Sequence, residues 1–167
     1  MTSHHCLKCG TALELRFMDS REREICPACG WVHYLQLKVG VGVLIEKDDQ
    51  ILLLQRAHDP WKGYWNIPAG YVETDEHPKD AAKREVFEEA GLIVEIGELI
   101  KVYYYSDDPR GNGVALIYKA EVLGGELRVD HESSAARYFH WHEIPEKLAG
   151  GGHDQVVLEW RTHFQNI

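Results

Sequence analysis

The chain has no stretch of 18 consecutive apolar residues. A helix that crosses a bilayer needs about 20, so no transmembrane segment is expected. The opening residues, MTSHHCLKCG, carry no apolar h-region of the kind found in secretory signals, and a soluble cytoplasmic protein is the expectation. Positive charge is also scarce. Lys and Arg number 18 against 27 Asp and Glu, for a net charge of −9. Indiscriminate binding to a nucleic-acid backbone needs a basic stripe, so nucleic acid is not the expected partner. An acidic protein that acts on anionic phosphates must bring local positive charge or a metal. There is no internal repeat and no low-complexity tract.

Cysteine is scarce as well, and its placement is informative. The only four are Cys6, Cys9, Cys26 and Cys29, arranged as C-x2-C, sixteen residues, then C-x2-C. That spacing reads as a tetrahedral Zn²⁺ site. Gly10 and Gly30 follow the two pairs, as a tight knuckle around each sulfur requires. Thiols stay reduced in a cytosolic protein, which favours metal over disulfides. About 35 residues cannot bury enough core to fold alone, so the metal is expected to be structural. Four thiolates close the coordination shell and leave no vacancy for His4 or His5. Lys8, Arg16, Arg21 and Arg23 are interspersed with Glu14, Asp19, Glu22 and Glu24, so this segment has no basic patch. A structural or dimer-forming role fits it better than nucleic-acid binding.

What is present in quantity is apolar residue, 44% of 167, enough for one medium domain beside the small cysteine module. The one boundary falls near residue 36, giving units 1–36 and 37–167. Leu37–Glu46 and Ile51–Arg56 read as strands of a hairpin across the polar turn 47–50. Ile93–Tyr105, Val114–Leu123 and Arg137–Trp141 read as further strands. Pro145–Ala149 and Val156–Phe164 read as helical. Trp61, Tyr64 and Trp65 are expected as core or wall residues. Strands on both sides of a central helix indicate an α/β sandwich.

That central helix is the most informative segment. Ala81–Ala90 has helical periodicity, with Pro78 a suitable start and Gly91 a suitable stop. Ala82, Val86 and Ala90 make one small apolar stripe. Glu85, Glu88 and Glu89 crowd another face, and such like-charge pairs oppose a bare helix by roughly 0.2–0.5 kcal/mol each. The crowding makes sense if a divalent cation sits there, and hard oxygen ligands suit Mg²⁺ or Mn²⁺. The alternative is a solvated acidic face, with Arg84 an ordinary surface cation.

Gly70, Glu76, Arg84, Glu85, Val86, Glu88, Glu89, Gly91 and Leu92 together resemble the Nudix box, G-x5-E-x7-R-E-U-x-E-E-x-G-U with U aliphatic, and every position matches. Chance would produce such a match at about 10⁻⁹ or less per start position. The resemblance implies a Nudix α/β/α sandwich from Leu37 onward. It also implies a metal-dependent hydrolase of nucleoside-diphosphate-linked compounds, often a homodimer. Glu85, Glu88 and Glu89 would be the metal ligands, and the carbonyl of Ala69 would join them. Glu76 would stand beside them, Glu73 is a weaker candidate, and Arg84 would orient a neighbouring carboxylate. Residues 130–139 resemble the family's E-x-x-E-x-R-W-F pattern. Glu132 matches its first acid, and position 135 is Ala instead of the second, which leaves Glu132 as the candidate general base.

Asp108-Pro109-Arg110-Gly111 is similar to a segment of ADP-ribose pyrophosphatase-like members. A ribbon ahead of the box also resembles NADH and some FAD or ADP-ribose pyrophosphatases. The S-Q-P-W-P-F-P-x-S segment of the NADH enzymes does not follow Leu92. ADP-ribose is therefore the first expected substrate and FAD the second, with AMP as product. Arg56, Tyr103, Tyr105 and Arg110 are candidates to bind the substrate. The alternatives are a housecleaning nucleoside-triphosphate pyrophosphatase and a non-catalytic sensor or nucleic-acid module.

Overall fold

The computed structural model describes residues 4–165. It forms two compact units, one ending at Gln36 and the other beginning at Leu37. In the first, β1 (Glu14–Met18), β2 (Arg21–Ile25) and β3 (Val32–His33) make an antiparallel sheet in that order. Asp19 and Ser20 turn β1 into β2 with positive φ values of 51° and 63°, the conformation that matches the twist of a two-residue hairpin. Among the described residues its buried apolar cluster is Cys6, Leu13 and Cys26, with Trp31 against it.

The second unit contains β4 (Lys38–Lys47), β5 (Gln50–Arg56), β6 (Trp65–Asn66), β7 (Ala69–Tyr71), α1 (Pro78–Ala90), β8 (Leu92–Tyr105), β9 (Gly113–Gly125), β10 (Ser133–His140) and α2 (His153–Gln165). The sheet runs β10-β5-β4-β9-β8, with β6 added to β5 and β7 to β4. Strand alternation divides its side chains between two cores. Val41, Val43, Ile45, Leu52 and Leu54 pack beneath Ala81, Ala82, Val86 and Ala90 of α1. Leu44, Ile51, Leu53 and Ile117 pack with Val156, Val157 and Trp160 of α2. The result is a helix–sheet–helix sandwich. Each fully buried Leu or Ile contributes roughly 1.5–3 kcal/mol to it.

β4 changes partners along its length, and this opens the sheet. Only Glu46 and Lys47 pair with β5. Lys38–Ile45 run parallel to β9, and Gly40–Gly42 pair with β7. The gap between β4 and β5 therefore widens toward Gly40 and Arg56.

Three segments differ from the sequence reading. Pro145–Ala149 is not helical. The N–H of Trp65 donates to the Lys147 carbonyl at 2.8 Å, and the N–H of Ala149 donates to the Trp65 carbonyl at 2.9 Å. A strand-like bridge to Trp65 thus takes the hydrogen bonds a helix would use. β10 starts at Ser133, four residues before Arg137, because its ladder follows β5 as far as Arg56. α2 begins at His153, just after the glycine run. Among the described residues, no helix is long and apolar enough to cross a membrane.

Candidate active site

Local signals fix where the acidic face lies. Pro78 stands in the first turn of α1, and the N-cap His77 accepts the Lys79 N–H through Nδ1 at 3.2 Å. Gly91 closes the helix in the left-handed conformation, φ 70°, which costs glycine nothing. Ala81, Ala82, Val86 and Ala90 are fully buried and hold one side of the helix on the sheet.

Arg84 is the centre of the acidic network. It grips Glu76 with two parallel bonds, Nε to Oε2 at 3.1 Å and Nη2 to Oε1 at 2.6 Å. Its Nη1 donates to Glu85 at 2.6 Å and to Glu88 at 3.1 Å, and Nη2 also reaches the Tyr71 carbonyl at 3.1 Å. The bonds from Arg84, with one from the Glu73 N–H, hold the Glu76 carboxyl below the usual range. The same partners, Glu76 foremost, raise the pKa of Arg84 further. One guanidinium thus offsets the repulsion that the sequence packs into this helix.

Glu89 lies outside that grip. It is buried, and its Oε2 accepts the Ala69 N–H at 2.9 Å. Burial pushes its carboxyl up to about 8, and burial also raises Glu85. Two desolvated carboxyls in one cleft wall are a costly arrangement without a counter-charge. They are hard oxygen donors, and they fit a divalent cation of the Mg²⁺ type. Among the described residues the helix acids do not close into a group of three within 4.8 Å. Arg84 holds Glu85 and Glu88, while the Ala69 backbone holds Glu89.

The gap between β4 and β5 is a cleft of about 320 Å³. Glu85, Glu89, Glu132, Glu73 and Ala69 line it, and so do Arg56, Tyr105 and Arg110. Glu76, Arg84, Glu88 and Tyr103 are not in its wall. Glu88 is turned to solvent with its side chain 53% exposed. Tyr103 is buried, and its hydroxyl donates to Glu159 at 2.8 Å. Arg110 bonds the buried Asp108 through Nε at 2.9 Å and Nη2 at 2.7 Å. Burial opposes ionisation of Asp108, but these bonds outweigh it and hold the carboxyl below its usual range. Arg56 donates Nε to the Pro60 carbonyl at 2.9 Å.

Sequence reasoning missed two further wall residues, Tyr71 and His153, and left Trp61 between core and wall. The Nδ1 of His153 is buried with no hydrogen-bond partner. Burial, then the charges of Arg56 and Arg110, lower its pKa to about 4. It is therefore a neutral ring at physiological pH. A lone histidine after three glycines carries no signal of this. Only folding brings it to Arg56 and Arg110.

The four cysteines form a separate cluster in the first unit. Their sulfurs all lie within 4.8 Å of one another. Cys6–Cys29 is 3.6 Å, Cys9–Cys26 3.5 Å and Cys9–Cys29 3.7 Å. Tetrahedral Zn–S bonds of about 2.3 Å put sulfurs about 3.8 Å apart, so the cluster fits Zn²⁺. Each knuckle closes alike, Gly10 N–H to the Cys6 carbonyl at 2.9 Å and Gly30 N–H to the Cys26 carbonyl at 3.0 Å.

A family model described as NUDIX domain matches residues 36–160, and a zinc-ribbon model described as Nudix N-terminal matches residues 4–35. The chain belongs to the Nudix family. An ADP-ribose pyrophosphatase of Methanocaldococcus jannaschii is 38% identical over 128 residues, covering 76% of this chain and 75% of that protein. A NAD-capped RNA hydrolase NudC of Stutzerimonas stutzeri is 34% identical over 142 residues, 84% of this chain but 49% of that protein. The chain thus spans about half the length of that Nudix relative. The crystal structure of a Nudix hydrolase from Nitrosomonas europaea superposes with a TM-score of 0.83 at 34% identity, covering 96% of this chain and 92% of the other. With its box complete, the chain is a Nudix pyrophosphohydrolase, and Nudix enzymes use divalent metal ions.

Proposed function

We propose that the protein hydrolyses the pyrophosphate bond of a nucleoside diphosphate linked to a second moiety, ADP-ribose ahead of FAD, releasing AMP. One observation carries this reading. A single cleft has two acids at one side, the half-buried Glu85 and the buried Glu89, and a cationic and aromatic wall formed by Arg56, Arg110, Trp61 and Tyr105. A dinucleotide-like substrate needs both, metal-bridged phosphates and a site for the group beyond them. The methanogen relative named ADP-ribose pyrophosphatase supports the order of substrates.

In this reading Glu85, Glu89 and the Ala69 carbonyl would hold Mg²⁺ or Mn²⁺, with Glu88 at the solvent side. The bound cation would supply a water of lowered pKa and neutralise phosphate oxygens. Arg84 fixes the ligand carboxylates, and Glu76 fixes Arg84. Glu132, in the cleft wall, takes the proton of the water that adds to phosphorus as the P–O–P bridge breaks. Arg56, whose terminal nitrogens have no partner among the described residues, binds a phosphate oxygen. Arg110, held by Asp108, and Tyr105 meet the distal group. Tyr103, committed to Glu159, supports the wall from behind.

The same reading includes a cytoplasmic location and a homodimer, the latter supported by the exposed Leu99, Ile100, Val102 and Tyr104 of edge strand β8. It also includes Zn²⁺ in the cysteine cluster. The test is turnover of ADP-ribose, FAD, NADH, dinucleoside polyphosphates and nucleoside triphosphates with Mg²⁺ and Mn²⁺, against Glu89→Gln. AMP from ADP-ribose or FAD, absent in the variant, is the expected result. Pyrophosphate released from triphosphates alone would move the substrate to the housecleaning class. Mg²⁺-independent binding of RNA without turnover would replace the enzyme reading.

A further inference from the structure

The first unit holds a second group of metal-ligating side chains that shares no residue with the cysteines. His4, Glu24 and His33 each offer one ligand atom, and these atoms all lie within 4.8 Å of one another. The Nδ1 of His4 lies 2.8 Å from both carboxylate oxygens of Glu24. The Nδ1 of His33 lies 2.6 Å from Oε2. The two rings stand edge to face with centroids 5.1 Å apart.

The backbone fixes all three. Glu24 on β2 is directly opposite His33 on β3. The carbonyl of His4 accepts the Leu13 N–H at 2.9 Å, which ties that segment to the start of β1. His33 also stacks on Trp31, 13° from parallel. The group lines a cleft of about 330 Å³. Arg23, which lines the same cleft, is turned over the Tyr34 ring at 4.8 Å.

We propose that His4, Glu24 and His33 form a second, thiolate-free metal site on the ribbon for a borderline divalent cation such as Zn²⁺. Two imidazoles and one carboxylate select Zn²⁺, Ni²⁺ or Cu²⁺ over Mg²⁺. Tetrahedral bonds of about 2.0 Å place neighbouring ligand atoms about 3.3 Å apart, so the imidazole–carboxylate pairs, now at 2.6 and 2.8 Å, must spread by about half an ångström to admit a cation. The His4 side chain is 51% exposed, which leaves the remaining coordination positions open to water or an added ligand. The bound cation would tie residue 4 to two strands and link the start of the chain to the sheet.

The test uses the full chain with one zinc already in the cysteine cluster and excess Mg²⁺ for the box carboxylates. Zn²⁺ is titrated by calorimetry, and Cu²⁺ is followed by electron paramagnetic resonance. One further equivalent is expected, with hyperfine structure from two nitrogens on Cu²⁺. Its affinity should fall at least about tenfold in Glu24→Gln and His4→Ala and stay unchanged in Glu89→Gln. Glu24→Gln keeps the size of the side chain, and retention of the cysteine-bound zinc reports a folded ribbon. Absence of a further equivalent, its survival in Glu24→Gln, or its loss in Glu89→Gln would each overturn the proposal.

Discussion

Replacing Gly70 by Ala separates site geometry from stability. Gly70 follows Ala69 in β7, and a Cβ built on it would overlap the Glu85 carboxylate at all three terminal atoms. Gly70 is not among the positive-φ residues, so alanine fits its backbone. The obstacle is the end of a flexible side chain, and that carboxylate must retreat by about 1 Å or more to reach ordinary contact distance. Alanine in a strand gains roughly 0.5–1 kcal/mol over glycine. Weakening the Glu85–Arg84 bond costs about 1.5–3 kcal/mol at most, and less here because the Arg84 side chain is 32% exposed. The net change in stability is therefore within about 2 kcal/mol, a melting shift below about 8 °C for a domain of this size. Misplacing a reacting group by about 1 Å costs about 100-fold, so kcat/KM should drop on that order while the fold persists. The Mg²⁺ concentration needed for half-maximal rate should rise. The assay is AMP release from ADP-ribose across a Mg²⁺ series, run beside thermal unfolding. Undiminished activity in a folded variant would refute the link between the box glycine and Glu85. So would a collapse of stability, because it would mean that the carboxylate cannot yield.

Other expectations concern charge, protonation and metal. Arg84→Ala leaves Glu76, Glu85 and Glu88 without their common cation, so unfolding should come about 1–3 kcal/mol sooner and activity should fall steeply, read by denaturant titration and turnover. The pKa of His153 is lowered from 6.5 to about 4, so its contribution to stability is present above pH 6.5 and is lost as pH falls toward 4. At pH 4 that loss approaches at most about 3 kcal/mol, and His153→Phe should flatten this part of the stability–pH curve. Cys26→Ser should release zinc and unfold the ribbon, with the loss reported by Trp31, the one tryptophan of that unit. Zinc release without any change in Trp31 emission would contradict the small core described for it.

Legibility followed sequence distance. The ends of α1 were readable because Pro78 and Gly91 act through their own backbones. The cysteine cluster was readable because two short knuckles carry its geometry. The acidic face was readable from i, i+3 and i+4 spacing, but that spacing could not show that Glu89 is buried under Ala69 while Glu88 is in solvent. Pro145–Ala149 was misread because its apolar and charged residues suit a helix, and the hydrogen bonds to Trp65 that decide the matter lie some 80 residues away in the chain. Tyr103 and Tyr105 share one strand pattern, and only the fold sends the first to Glu159 and the second to the cleft. His153 had no local mark at all.

The cleft draws its walls from Gly40 through His153, whereas the cysteine cluster is complete at Cys29. During synthesis these two sites therefore come into being at different times. At about 5–20 residues per second, roughly 6–25 s of translation separate the last cysteine from His153. A cation that suits four thiolates could therefore be taken up by the ribbon while the ribosome is still making the box, before the carboxylates of α1 exist to compete for it.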